Sequence, residues 1–174
     1  MKRILLSLAV MALASMSLSA QKIVYFNSET VLKAIPEYVA AQDKLNRLSD
    51  KYKSSVEAEV AKIEALYQDY QSKKASMTPE QRTVAENEII SKEKITQEKE
   101  AIYFGEDGIM ARNTEEMITP IREKLDAAIK ALAEANAYDL VLDASVMPGV
   151  VYTNPALDVT NAIITEYNNQ KNNN

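Results

Sequence analysis

The chain has 174 residues, no cysteine, no histidine and three glycines. Without cysteine there are no disulfides and no lipid anchor on that residue, and without histidine the commonest general acid/base and metal ligand is missing. Glycine occurs only at Gly105, Gly108 and Gly149, too few for a phosphate-cradling loop, so neither an enzyme nor a cofactor is expected. The formal net charge of −5 suits nucleic acid poorly, since phosphate contact needs clustered cations.

Met1-Lys2-Arg3, the apolar run Ile4 to Ala14 and the small-residue stretch ending at Ala20 have the layout of a secretory signal peptide over residues 1–20. Removing Lys2 and Arg3 leaves 18 basic against 25 acidic side chains in a chain expected outside the cytoplasm. Lys22 to Phe26 is β-rich and predicts a strand. Asn27 and Ser28 offer capping oxygens to a short helix through Val31, Leu32 and Ile35, and Pro36 breaks it.

From Glu37 to about Ser76 the pattern is helical without interruption. Leu45, Leu48, Tyr52, Val56, Val60, Ile63, Tyr67 and Tyr70 recur at helical spacing and define one stripe. Thr78-Pro79-Glu80-Gln81 is a capping box with proline at the first helical position, so a second helix starts there. The short link makes the pair an antiparallel hairpin with its tip near 75–80.

The return helix is read from Pro79 to Asn136. Ile95, Ile102 and Ile109 repeat every seven residues and suggest a coiled-coil seam. Gly105 and Gly108 mark a bend or soft spot, the alternative being a true helix end, and Pro120 kinks or interrupts the helix. Gly105, Gly108 and Pro120 are therefore the candidate hinge of the arm. Ile121, Leu125, Ala128, Ile129 and Leu132 then form an amphipathic stripe, with Asn136 as its C-cap.

Tyr138 to Leu142 and Val150 to Thr153 read as strands joined by a loop at Ser145 to Gly149. Asp139 and Asp143 alternate with apolar residues and are placed on an outward strand face. Asp158 caps a last helix carrying Val159, Ala162, Ile163 and Tyr167, and residues 169–174 form a polar, disordered tail. The fold class is α+β, mostly helical. A long antiparallel helical hairpin, residues 37–119, is inserted into a small β-containing body of residues 21–36 and 120–168. Three short strands leave open edges, and so small a core is marginal alone; oligomerisation would solve both problems.

Lys22-Ile-Val-Tyr-Phe-Asn, the tip Met77-Thr-Pro-Glu-Gln-Arg82, and Ala135 to Asp143 followed by Val151 to Thr160 resemble the Skp/OmpH family of periplasmic outer-membrane-protein chaperones. The resemblance covers the whole mature chain. It implies a homotrimer whose strands join in a central trimerisation body. From that body hang tentacle-like arms enclosing unfolded outer-membrane proteins, without ATP, between the inner-membrane translocon and the outer-membrane insertion machinery.

One feature departs from the family's best-known member, whose cationic arms are associated with anionic lipid or lipopolysaccharide. Residues 37–119 here hold 12 Lys/Arg against 17 Asp/Glu, which argues against lipopolysaccharide contact. Tyr52, Leu66, Tyr67, Tyr70, Ile95 and Ile102 are the client-facing candidates, against the plainer reading that they pack one helix on the other. Ile23, Val24, Tyr25, Leu140, Val141, Leu142, Val151 and Tyr152 are assigned jointly to body core and subunit interface. The competing function is a periplasmic coiled-coil scaffold or spacer binding one folded envelope partner.

Overall fold

The computed structural model describes residues 21–172; the leader expected over 1–20 and the final two residues lie outside the described residues. Strand β1, Ile23–Phe26, buries Val24 and Phe26, the alternation a half-covered strand requires. Asn27 accepts the Thr30 N–H at 2.8 Å and so caps helix α1, Ser28–Lys33. Pro36 ends that segment and opens the next, occupying the first position of α2, Pro36–Lys73, where its missing N–H is harmless.

Helix α2 has 38 residues and is therefore roughly 57 Å long at 1.5 Å per residue. A 3-10 turn, Lys74–Ser76, leads to α3, Pro79–Phe104. The capping box is formed in full: Gln81 N–H donates to Thr78 Oγ1 at 3.3 Å and Thr78 N–H to Gln81 Oε1 at 2.9 Å. Helix α4, Ile109–Asn136, buries Ile118, Ile121, Leu125 and Ala128. Pro120 lies inside it without interrupting it, so of the two readings, kink or interruption, the interruption is ruled out.

At the end of α4 Ala137 takes φ +52°. Tyr138 N–H then reaches Ala133 O at 3.0 Å and Ala137 N–H reaches Glu134 O at 3.3 Å, which satisfies the last carbonyls in a Schellman turn. The chain passes directly into strand β2, Leu140–Asp143, and ends in α5, Thr160–Asn172. Residues 169–172 are thus helical rather than disordered.

Among the described residues the sheet has two strands, not three. β1 and β2 run parallel, with Ile23 opposite Leu140 and Phe26 opposite Asp143. Tyr25 also bridges to Asp158, and Val159 N–H donates to Tyr25 O at 2.9 Å. Val150–Thr153 has no ladder partner: Pro148 and Gly149, at φ +88°, turn it away from β2.

By compactness the chain divides into two units, Leu32–Asp126 and the chain ends up to Val31 and from Ala127. The second unit has its core in Val24, Phe26, Val31, Ala128, Val159, Ile163 and Tyr167. Polar clamps close it. Lys22 N–H donates to Asp139 Oδ2 at 2.7 Å, and Asn27 N–H donates to Thr160 Oγ1 at 3.0 Å. Asp158 accepts the Thr160 N–H at 2.8 Å, within the first turn of α5.

Asp143 is not the outward residue expected. Its Oδ1 accepts Ser28 N–H at 3.2 Å, Ser145 N–H at 3.0 Å and Ser145 Oγ–H at 2.6 Å, so β2 anchors the start of α1. Burial alone would raise its pKa, but the hydrogen bonds from Ser145 and Ser28 outweigh that and hold it below the usual aspartate value. A carboxylate depressed in the folded state stabilises above its unfolded pKa of about 3.9, and that contribution is lost as pH falls through the folded value. Asp143→Asn keeps a neutral acceptor oxygen and loses only the charge, so at this largely solvated site it should cost about 0.5 kcal/mol at pH 7. The difference from the parent chain should shrink towards zero in acid, as urea unfolding at both pH values and one protein concentration will show.

Candidate functional site

The hairpin seam is thin. On α2 only Leu45 and Tyr70 are buried; Leu48, Tyr52, Val56, Ile63 and Leu66 are half-buried. On α3 Ile89 and Thr96 are buried, with Ala85, Lys99 and Tyr103 half-buried. Ile89, Thr96 and Tyr103 stand seven residues apart, with Ala85 and Lys99 on the alternate three- and four-residue steps, so this is the true coiled-coil phase.

The phase read from Ile95, Ile102 and Ile109 is one residue out. Ile95 and Ile102 are 59% and 57% exposed, and Ile109 begins the next helix. The error has a physical source: the middle of the seam is polar. Lys99 reaches across to Glu59 at 3.5 Å, and Lys62, the nearer cation, with Lys99 holds the Glu59 carboxyl below its usual pKa. Arg82 also enters the seam, with its Nε buried and without a hydrogen-bond partner.

Aromatic contacts close the two ends of this polar stretch. At one end the Tyr52 and Tyr103 rings stack with centroids 4.3 Å apart, and Phe104 meets Tyr103 edge-on at 6.4 Å. At the other end Tyr70 is buried, its hydroxyl donates to Glu86 Oε1, and Lys74 Nζ sits 5.2 Å from its ring centre. Tyr52 and Tyr70 therefore serve the hairpin itself. Of the six client-facing candidates, Tyr67, Ile95 and Ile102 are exposed and Leu66 is half-exposed.

Sequence periodicity missed the exposed apolar side chains Val84 and Ile90, and Val60, which it placed on the α2 stripe, is exposed as well. Their signal was position alone, just outside the correct seam. Ile95 borders a recess of about 180 Å³ with Lys62, Ile63 and Lys99.

Of the hinge candidates, Gly105 and Gly108 bound a real break between α3 and α4. A Cβ on Gly105 would stand 2.4 Å from the Ala101 carbonyl oxygen, so no other residue fits that turn unshifted.

The body candidates separate into two groups. Val24 is core and Tyr25, Val141 and Leu142 are half-buried, while Ile23 and Leu140 are exposed. Val151 and Tyr152 are 98% and 78% exposed. Val150 and Tyr152 help line an uncharged recess of about 290 Å³ with Ile23, Leu142, Met147 and Leu157. Among the described residues no acidic cluster could hold a metal and no helix is long and apolar enough to cross a membrane.

A capped helical hairpin whose seam leaves apolar side chains in solvent, joined to a body built from both chain ends, defines a protein made of surfaces rather than of a pocket. The OmpH-like outer membrane protein family matches residues 22–167, and the chain belongs to that family. It is 25% identical over 160 residues to the chaperone protein Skp of Yersinia enterocolitica, covering 92% of this chain and 94% of that one. The crystal structure of an OmpH-like protein from Caulobacter crescentus CB15 superposes with a TM-score of 0.63 at 15% identity, covering 87% and 86% of the two chains, and shares the fold.

The stack of Tyr52 on Tyr103 should be worth about 1 kcal/mol beyond its buried area. A double-mutant cycle of Tyr52→Ala and Tyr103→Ala, read by denaturant unfolding, should return a coupling of that size. A coupling near zero would mean that the rings merely lie close.

Proposed function

We propose that this protein is an ATP-independent periplasmic holding chaperone that keeps unfolded outer-membrane proteins from aggregating. The observation that carries the reading is the placement of Tyr67, Val84, Ile95 and Ile102 along the hairpin, exposed and spread out rather than gathered in a pocket. Weak contacts at many points hold a chain by avidity and release it without fuel. The family membership and the Yersinia relative, a chaperone by name, support the same reading. A scaffold docking one folded partner would be better served by a fully paired seam than by the polar one between Glu59 and Lys99.

In this proposal residues 1–20 are a leader removed on export. Residues 21–36 and 120–168 form the base, residues 37–119 the arm, and the assembly is a homotrimer. The exposed Ile23, Leu140, Val151 and Tyr152, beside the free edge of β2, are the subunit contacts. An unpaired strand edge next to apolar side chains needs a partner to be soluble. Clients enter among the arms and pass to the outer-membrane insertion machinery.

The triple variant Tyr67→Ser, Ile95→Ser and Ile102→Ser removes large apolar groups without touching the buried seam. It should raise the concentration needed to suppress aggregation of a denatured β-barrel protein by about tenfold or more, at roughly 1 kcal/mol per lost contact. Unchanged suppression with an unchanged oligomer would refute the client-facing role.

A further inference from the structure

Lys22 is fastened from three sides. Its N–H donates to Asp139 Oδ2 at 2.7 Å, and its Nζ donates to Asn136 O at 3.1 Å. Its carbonyl accepts Asp139 N–H at 3.0 Å and Leu140 N–H at 3.4 Å. The ammonium thereby meets one of the carbonyls left over at the end of α4, where a cation also suits the helix dipole. The residue before it is held differently. Gln21 is exposed, precedes the first rung of the ladder at Ile23 and takes part in none of these bonds. Residue 22 is a fixed point of the body, and residue 21 is a free head upon it.

In the reading proposed above the leader ends at Ala20, so export leaves Gln21 as the first residue, with an open α-amine. That amine and the side-chain amide belong to one residue, and closing the nitrogen on Cδ makes an unstrained five-membered ring. An α-amine has an ordinary pKa of about 8, so part of it is the neutral nucleophile at neutral pH. A nucleophile held beside its target reacts as though very concentrated. The α-nitrogen forms its bond to Cδ and the bond from Cδ to the side-chain nitrogen breaks. That nitrogen leaves as ammonia, carrying the proton the amine gives up. No oxidant, nucleotide or metal enters the balance. The ring uses atoms of residue 21 alone, so the Lys22 N–H keeps its bond to Asp139.

We infer that Gln21 of the exported chain closes on itself as pyroglutamate, and that this lactam caps the chain against aminopeptidases, which must bind an open α-amine. The inference rests on the leader proposed above. What the cap protects follows from the bonds around it. Proteolysis concentrates at chain termini, and this terminus adjoins the closure of β1 on β2. Loss of Gln21 followed by Lys22 would remove the clamps to Asp139 and to the end of α4. Only the ladder from Ile23 onward and the bonds beyond it would then hold the two chain ends together.

The full chain with its leader, exported in a Gram-negative host and recovered from the periplasm, is read by intact mass and by sequencing of its N-terminal peptide. A synthetic peptide of residues 21–29 with an open amine passes through the same handling and sets the amount of ring formed there. Most chains should begin at residue 21 and be lighter than the open form by one ammonia, far beyond that control. Gln21→Ala should begin at residue 21 with an open amine. Under a broad-specificity aminopeptidase it should lose its first residues while the parent chain keeps its own. A parent chain that begins at residue 21 with its amine open, or with no more ring than the control, overturns this inference alone. So does a Gln21→Ala chain that resists trimming as well as the blocked parent, since the cap then protects nothing. A chain that begins elsewhere, or that retains residues 1–20, overturns the leader reading and this one with it.

Discussion

The structure depends on one closure. Strand β1 must find β2 across a sequence separation of 117 residues, and parallel strands permit no short turn between them. Closing so long a loop costs about 4 kcal/mol of chain entropy beyond a constant term. Four paired residues are a small return, so the closure is reinforced around the sheet. Lys22 reaches Asp139, Ser28 reaches Asp143, and Asn27 reaches Thr160. Each bond ties the first ten described residues to the last third of the chain. The helical hairpin is in effect the crossover connection of a parallel β-pair, extended far beyond what the connection needs.

Because the body is secured by the two chain ends, the arm is released from the task of holding the fold together, and its seam shows it. A seam selected for stability would carry aliphatic residues at Thr96 and Lys99. Here the polar middle is bracketed by aromatic contacts, Tyr52 with Tyr103 and Tyr70 beside Glu86. The aliphatic residues that would have filled it, Ile95 and Ile102, stand one position outside. A weak seam and exposed flanks are thus the same feature, and it is the one on which the proposed holding role rests.

Much of this was legible in the sequence, and the misses share a cause. The strand at Ile23, the capping box at Thr78 and the stop at Pro36 rest on local chemistry, which one stretch of chain contains in full, whereas at Gly105 the sequence favours a bend within one helix to Asn136 and the structure has a true end. The seam phase was missed because apolar periodicity follows isoleucine, whereas the seam follows Thr96 and the stem of Lys99. The strand expected at Val150–Thr153 has the right residues, but a strand is defined by its partner, and none of the described residues pairs with it. Pro120 leaves kink and interruption both open in the sequence, and the helix continues through it. Asp143 looked like a solvent-facing strand residue because its donors, Ser28 and Ser145, come from separate parts of the chain. The resemblance to the Skp/OmpH family rested on the order of short motifs along the chain, and that order survives where individual residues mislead.

Native-state hydrogen exchange read by mass spectrometry addresses the closure and the soft arm in one experiment. The account predicts that amides of Ile23–Phe26 and Leu140–Asp143 exchange together and only through global unfolding, while those around Val56–Ile63 and Lys92–Lys99 exchange far sooner through local opening. Equal protection throughout, or early release of the two strands while the arm stays closed, would contradict it.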